Sequence, residues 1–366
     1  MATTLGMPTL TIAIKKAADT VASRLQDGVV AMIVRDATET AGLYVVGDKT
    51  DIPSKLAAGT AAQVERALIG GINRPQKVLL SVIGTDADLV QVGAAALASS
   101  DFDYLAVPDD ADEDDLEAIV TWLEGIRAKY SVGKAVLPDH AADNMAVINF
   151  SASGIQAGGS TYTGAQYCSR IAGLLAGTPL TNSATSAVLE EVTGVTAVAD
   201  PDAAVAAGKL ILVHDGRKAK LGRAVNSLVT VPTDQSEALK KIKIVAAVDL
   251  IRREGKLLIE DQYTGQGNSY DNKLVMVAAF QDFLAQLENE GVLQSGSGYA
   301  ELNLEKQRAW LKEQGVDVAS MTDQDILKAD TGSYIWIRMG GTILDGMEDF
   351  DLEFYMGSGT VGGNAA

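Results

Sequence analysis

The chain has 366 residues, 47% hydrophobic and 21% charged, with a formal net charge of −18. Length and apolar content allow a sizeable core and more than one structural unit. The negative charge excludes a nucleic-acid partner and disfavours direct membrane binding, because phosphate-rich surfaces would repel it. The one cysteine, Cys168, excludes an internal disulfide and fits folding in a reducing cytoplasm. The opening "MATTLGMPTL" lacks a basic segment followed by an apolar core, so no signal peptide is expected, and no apolar run is long enough to span a bilayer.

In chain order, "PTLTIAIKKAA" alternates, with Leu10, Ile12 and Ile14 on one face, and ends in Lys15 and Lys16. From Gly28 the pattern becomes short apolar strands separated by helices. Strands are expected at 28–34, 43–46, 77–83, 104–108, 134–138 and 145–150, and several are apolar on both faces, as central strands of a helix-covered sheet are. Helices are expected at 60–69, opened by a Thr60/Gln63 capping box, at 87–98, and at 114–130 with acids in its first turn. This alternation predicts an α/β unit with a largely parallel sheet. A helix at 162–175 ends at "AGTP", and strands are expected at 209–215 and 224–231. Beyond 232–236 the reading is helical at 236–253, 271–291 and 304–315, followed by a strand at 332–339. Last comes "EDFDLEFYM", strictly alternating, with Phe350, Leu352, Phe354 and Met356 on one face and Asp349, Asp351, Glu353 and Tyr355 on the other. No hairpin partner follows it.

A search for catalytic chemistry returns little. Two histidines, His140 and His214, and one cysteine are too few for a Cys/His zinc site, and no H-E-x-x-H spacing occurs. Cys168 falls inside an apolar helix and reads as a packed thiol. Nucleophile-elbow and P-loop patterns are absent. Gly357, Gly359 and Gly362 spell G-x-G-x-x-G, but the helix whose N-terminus would take the pyrophosphate does not follow. The run "DDADEDDLE" spaces Asp110, Asp112 and Asp114 like a calcium loop, yet Asp115 and Thr121 stand where glycine and glutamate are required, so it reads as a solvated helix cap. The polar stretch 261–273, "DQYTGQGNSYDNK", reads as a connection or subunit contact. No catalytic, cofactor or metal site is expected.

The remaining motifs form a recognisable set: "DFDYLAVPD", "VTWLEGIRAKY", "KAVLPDHAADNMAVINF", "SRIAGLLAGTPLTNSAT", "VNSLVT", "NSYDNK" and "DGMEDFDLEF". Together they resemble the tail sheath proteins of contractile phages and phage-like particles of Gram-positive bacteria, in family order from about residue 9 to 356. The resemblance implies a subtilisin-like α/β sheath domain at 28–235, a smaller α+β C-terminal domain at 236–347, an N-terminal arm at 1–27 and a C-terminal arm with a Gly-rich tail at 348–366. "Subtilisin-like" refers to topology alone, not to protease activity. It further implies assembly in the host cytoplasm, as hexameric rings stacked around a tail tube between baseplate and tail terminator proteins. The arms would exchange strands between subunits and the sheath would contract to drive the tube through an envelope. The arm residues are then Leu10, Ile12, Ile14, Lys15 and Lys16 at one end, and Asp349, Phe350, Asp351, Leu352, Glu353, Phe354 and Met356 at the other. Lys306, Arg308 and Lys312 make the helix at 304–315 locally basic in an acidic chain, a candidate tube-facing surface. A cytoplasmic α/β enzyme acting on a small ligand and a non-contractile baseplate component are the alternatives.

Strand addition supplies main-chain hydrogen bonds while alternate side chains fill pockets. Burying the four apolar arm side chains contributes about 1.5–3 kcal/mol each, and ordering the stretch costs about 1–2 kcal/mol per residue. A single exchanged arm is therefore marginal, and the lattice gains only from many at once.

Overall fold

A computed structural model of the chain describes residues 28–353, apart from Tyr130 and Asp234. The strands in chain order are β1 (Val29–Arg35), β2 (Gly42–Val46), β3 (Lys77–Ile83), β4 (Tyr104–Ala106), β5 (Lys134–Pro138), β6 (Val147–Ser151), β7 (Ile155–Ala157), β8 (Ser160–Tyr162), β9 (Val188–Leu189), β10 (Val192–Gly194), β11 (Lys209–His214), β12 (Ala219–Leu221), β13 (Tyr299–Leu302) and β14 (Ile337–Gly340). The longer helices are α1 (Ala58–Ala67), α2 (Glu113–Ala128), α3 (Gly164–Ala176), α4 (Ile242–Gln262), α5 (Tyr270–Asn289) and α6 (Leu304–Glu313).

One sheet dominates, ordered β2-β3-β1-β4-β5-β6-β11-β12-β9. Every pairing from β3 to β11 is parallel, while β2, β12 and β9 add antiparallel edges. Alternation along β1 divides the core: Val30, Met32 and Val34 join a cluster under α1 and α3, and Ala31 and Ile33 join one under α2. A strand apolar from Val29 to Val34 thus serves two helical layers, which is why the central strands read as continuous apolar runs. On the first layer, a Cβ on Gly173 of α3 would lie 1.9 Å from the Ala67 carbonyl oxygen of α1, so only glycine permits this helix contact.

A third apolar cluster joins α4, α5 and the β13–β14 ribbon through Leu250, Met276, Phe280, Leu284, Leu287 and Leu302. Helix α4 connects the two parts, since its first residue, Ile242, packs in the sheet cluster and Ala247 and Leu250 pack in this one.

Several expected elements differ. Helix α1 starts at Ala58 and has no side-chain cap, so the Thr60/Gln63 box does not form. The Asp36 carboxylate accepts from Ala57 N–H instead, fixing an earlier start. Residues 224–231 are not a strand, although their β-branched run suggests one. Buried Asn226 and Ser227 divert the backbone: Ser227 N–H donates to Val147 O, Ser227 Oγ donates to Asn144 O, and Val229 and Thr230 N–H donate to Asp143. The helix expected from 236 breaks at Lys241, whose extended backbone bridges Val225, leaving a 3₁₀ turn at Glu237–Lys240 before α4. Of 332–339, only the end is strand, because Asn268 and Thr331 hold the Gly332 and Tyr334 carbonyls in a turn. Residues 348–353 form no strand within their own chain.

Candidate functional site at the root of the C-terminal arm

After β14 the chain runs back along the body, with Leu344 N–H donating to Val292 O. It passes so close to the segment between α3 and β9 that a Cβ on Gly346 would lie 2.7 Å from Ser183 Cβ. Two residues later the Glu348 carboxylate turns inward, its side chain only 4% exposed. Its Oε1 accepts from Ser183 Oγ and Thr185 Oγ1, each at 2.7 Å. Its Oε2 faces Lys241 Nζ at 3.3 Å and Arg223 Nη1 at 3.8 Å. Asp345 and Asp349 extend the charge pairing on either side, to Lys241 at 2.6 Å and to Arg223.

Burial alone would push the Glu348 carboxyl up, but the two hydroxyls and the Lys241 ammonium more than offset this and hold it below the usual glutamate range. Glu348 therefore stays ionised at neutral pH, and its stabilising contacts weaken only as pH falls through the depressed folded value. Past this point the side chains turn outward: Phe350 and Leu352 are 78% and 91% exposed, as is Met347 at 88%.

Of the expected arm residues, Asp349, Phe350, Asp351, Leu352 and Glu353 lie in this segment. Leu10, Ile12, Ile14, Lys15, Lys16, Phe354 and Met356 lie outside the described residues. The basic residues sit on α6, where Lys306 and Lys312 are exposed and Arg308 pairs with Asp323 at 2.5 Å. Arg308 and Lys312, four apart, share a face, and Lys306 lies on another side of the helix. One end of α6 carries Trp310, whose ring stands 5.7 Å from Trp336 and 5.8 Å from Tyr334.

The remaining motifs have structural partners. Asp112 caps α2, and Asp110 and Asp115 both pair with Arg35, so the acidic run is a helix cap with a salt bridge. Cys168 is 1% exposed, and burial pushes its thiol far up, away from nucleophilic thiolate character. His140 Nδ1 lies 2.9 Å from Glu113, and His214 Nδ1 accepts from Gly216 N–H. In the 261–273 stretch, Asn268 and Lys273 bind Thr331, tying the helical connection to the turn before β14. Among the described residues no group of three or more His, Cys, Asp and Glu side chains is placed to hold a metal ion.

Two features escaped the sequence. Ser183 and Thr185, Arg223, and Lys241 come from three separate segments, and only the clustering of the first two inside "PLTNSAT" offered a hint. The second is a buried ion cluster where Asp249 of α4 takes Arg127 Nη1 at 3.0 Å, Arg127 Nη2 at 2.8 Å and Lys134 Nζ at 3.1 Å. Beside it Arg253 pairs with Asp103 at 3.1 Å, and Asp103 also accepts from Val29 N–H, where the described chain enters β1. A partly open cavity of about 40 Å³, room for a few waters, lies among these groups.

No protein-family model matches the chain. The tail sheath protein of Clostridium phage phiCD119 is 33% identical over 361 residues, covering 96% of this chain and 99% of that protein. The chain belongs to the tail sheath protein family. The family's solved folds agree with this one. The sheath tail protein of Listeria innocua superposes with a TM-score of 0.69 at 13% identity, covering 90% of this chain and 99% of that one. That of Desulfitobacterium hafniense gives 0.65 at 15%, covering 75% and 90%. The contracted helical sheath of the anti-feeding prophage gives 0.66 at 14%, covering 90% and 93%. These neighbours match the mixed α/β architecture with its large, mostly parallel sheet.

Proposed function

We propose that this tail sheath protein is the repeating subunit of a contractile sheath, stacked as hexameric rings around a tail tube and joined by strand exchange. The observation that carries this reading is the C-terminal arm, clamped at Glu348 and then presenting Phe350 and Leu352 to solvent. The receiving element is the β13–β14 ribbon. Among the described residues its two strands pair only with each other, and each keeps an edge without a strand partner. A two-stranded ribbon is marginal alone and gains from added strands, so a neighbour's arms complete it. The proposed units are the sheath domain at 28–235, the C-terminal domain at 236–347 and the arms at 1–27 and 348–366.

The opposite signs of Lys15 and Lys16 against Asp349, Asp351 and Glu353 favour the two arms lying side by side. Basic α6, with Lys306, Arg308 and Lys312, is the candidate tube-facing element, Arg308 and Lys312 sharing the face that would meet the tube, and baseplate and terminator proteins close the ends. Contraction is a transition between two packings of one subunit and needs no nucleotide. The resemblance to the sheath of the anti-feeding prophage, solved contracted, supports a role in such a particle, assembled in the host cytoplasm and carried in the tail.

Concentrated protein, viewed by negative-stain microscopy with and without tail tube protein, is expected to form hollow tubes with a regular axial repeat. Particles that remain monomeric at every concentration, including on added tubes, would overturn the proposal.

A further inference from the structure

We infer that Glu348 is the positioning residue of the C-terminal arm, a buried latch that fixes where the exchanged segment leaves the subunit. The exchangeable arm then begins at Asp349. This inference rests on the strand-exchange reading above.

Three observations carry it. The first is burial: a charged glutamate ordinarily faces solvent, yet this side chain is 4% exposed while Phe350 and Leu352, which follow it at period two, point out. Burying a carboxylate is costly unless it is paired; here Oε1 accepts from two hydroxyls, while Oε2 has no hydrogen bond and is balanced by the Lys241 ammonium at 3.3 Å. The second is connectivity. Ser183, Thr185 and Arg223 belong to segments flanking β9 and β12 of the large sheet, and Lys241 stands at the start of α4, which leads into the helical part. Thr185 Oγ1 also accepts from Ala224 N–H, tying the two sheet segments together behind the carboxylate. One side chain therefore fastens the arm to both parts of the molecule. The third is the approach: Gly346 crosses Ser183 at a distance no Cβ tolerates, which fixes the path into the latch.

The geometry has a mechanical consequence. Tension on an exchanged arm reaches the sheet and α4 at Glu348 and does not peel residues 341–347 from the body. The arm's direction is likewise set before a neighbour is met, which lowers the ordering cost of docking.

The test compares full-length wild type with Glu348→Ala and Gly346→Ala, one removing the carboxylate and the other lifting the chain while leaving every charge in place. Hydrogen exchange on the unassembled subunits reads the latch. Backbone amides of residues 342–349 should exchange roughly tenfold faster or more in both variants, the scale of losing charged hydrogen bonds, while the core strands β1 and β3 keep wild-type rates. Under conditions where wild type forms tubes, both variants should give fewer or irregular ones, and Glu348→Gln, which can still meet the two hydroxyls, should recover part of the protection and part of the yield. Unchanged exchange at 342–349, or faster exchange with tubes of wild-type yield and lattice, would overturn the latch. Equal acceleration in β1 and β3 would also overturn it, since Glu348 would then be a general stabilising residue. Absence of wild-type tubes would instead strike the strand-exchange reading, because the exchange measurement stands without assembly.

Discussion

Removal of residues 349–366 is expected to leave a folded subunit that no longer builds sheath tubes. Of the groups deleted, Asp349 pairs with half-exposed Arg223 on the body, and Phe350 and Leu352 already face solvent. Surface ion pairs add little to stability, so the truncated protein should unfold at nearly the wild-type temperature by circular dichroism. Assembly behaves differently. Under the strand-exchange proposal each subunit loses the added strand it offers and each ribbon loses a partner, so the deficit is multiplied by the number of contacts in the lattice. Tube length and number by microscopy should fall by well over tenfold. Truncated protein forming tubes of normal length would place the subunit contacts elsewhere.

Asp249→Ala should have the largest effect on folding. The carboxylate is 2% exposed and engages Arg127 and Lys134, whose own side chains are 8% and 3% exposed. Its removal leaves two buried cations without their shared anion, and breaking a buried pair this way costs about 3–5 kcal/mol. In a chain of this size the loss corresponds to a fall in thermal midpoint on the order of 10 °C. The triple variant Arg127→Met, Lys134→Met, Asp249→Leu removes the charges together, and well-packed apolar replacements of buried ion clusters are often neutral or stabilising. It should recover most of the midpoint. Because Asp249 lies on α4, the cluster also fixes how the helical part sits on the sheet. If Asp249→Ala unfolds at the wild-type temperature, the cluster is not what holds α4 in place.

Much of the fold was legible because it follows from local rules. Strand β3 is apolar at five of its seven positions, with Lys77 at its start and Ser81 inside it, and its expected bounds match the observed ones. The acids before α2 and the Thr163 cap of α3 signal helix starts in the way physical chemistry requires. Errors arose where tertiary partners outweighed local preference. Residues 224–231 carry the valines and threonines of a strand, but Asp143, more than eighty residues earlier, takes two of their amides. Ala57 starts α1 because of Asp36, twenty-one residues upstream.

The candidate site was half legible for the same reason. Alternation in the arm is a local property and predicts that Phe350 and Leu352 share a face. The same period puts Glu348 on the face of Phe350 and Leu352 but does not say that it alone is buried in its own subunit, because that burial depends on Ser183, Thr185 and Lys241, more than a hundred residues away in sequence. The Asp249 cluster was invisible on similar grounds, since its partners Lys134 and Arg127 are 115 and 122 residues distant. Helix α4 looks amphipathic, and nothing in its own sequence tells Asp249 from its solvated acids.

The central claim, that neighbouring subunits are joined through arms completing the β13–β14 ribbon, is tested most directly by a cryo-EM map of an assembled tube. The account predicts continuous density beyond Glu348 running from one subunit onto the ribbon of another, with Phe350 and Leu352 buried there. Arms that fold back on their own subunit, or ribbons left two-stranded in the lattice, would contradict it.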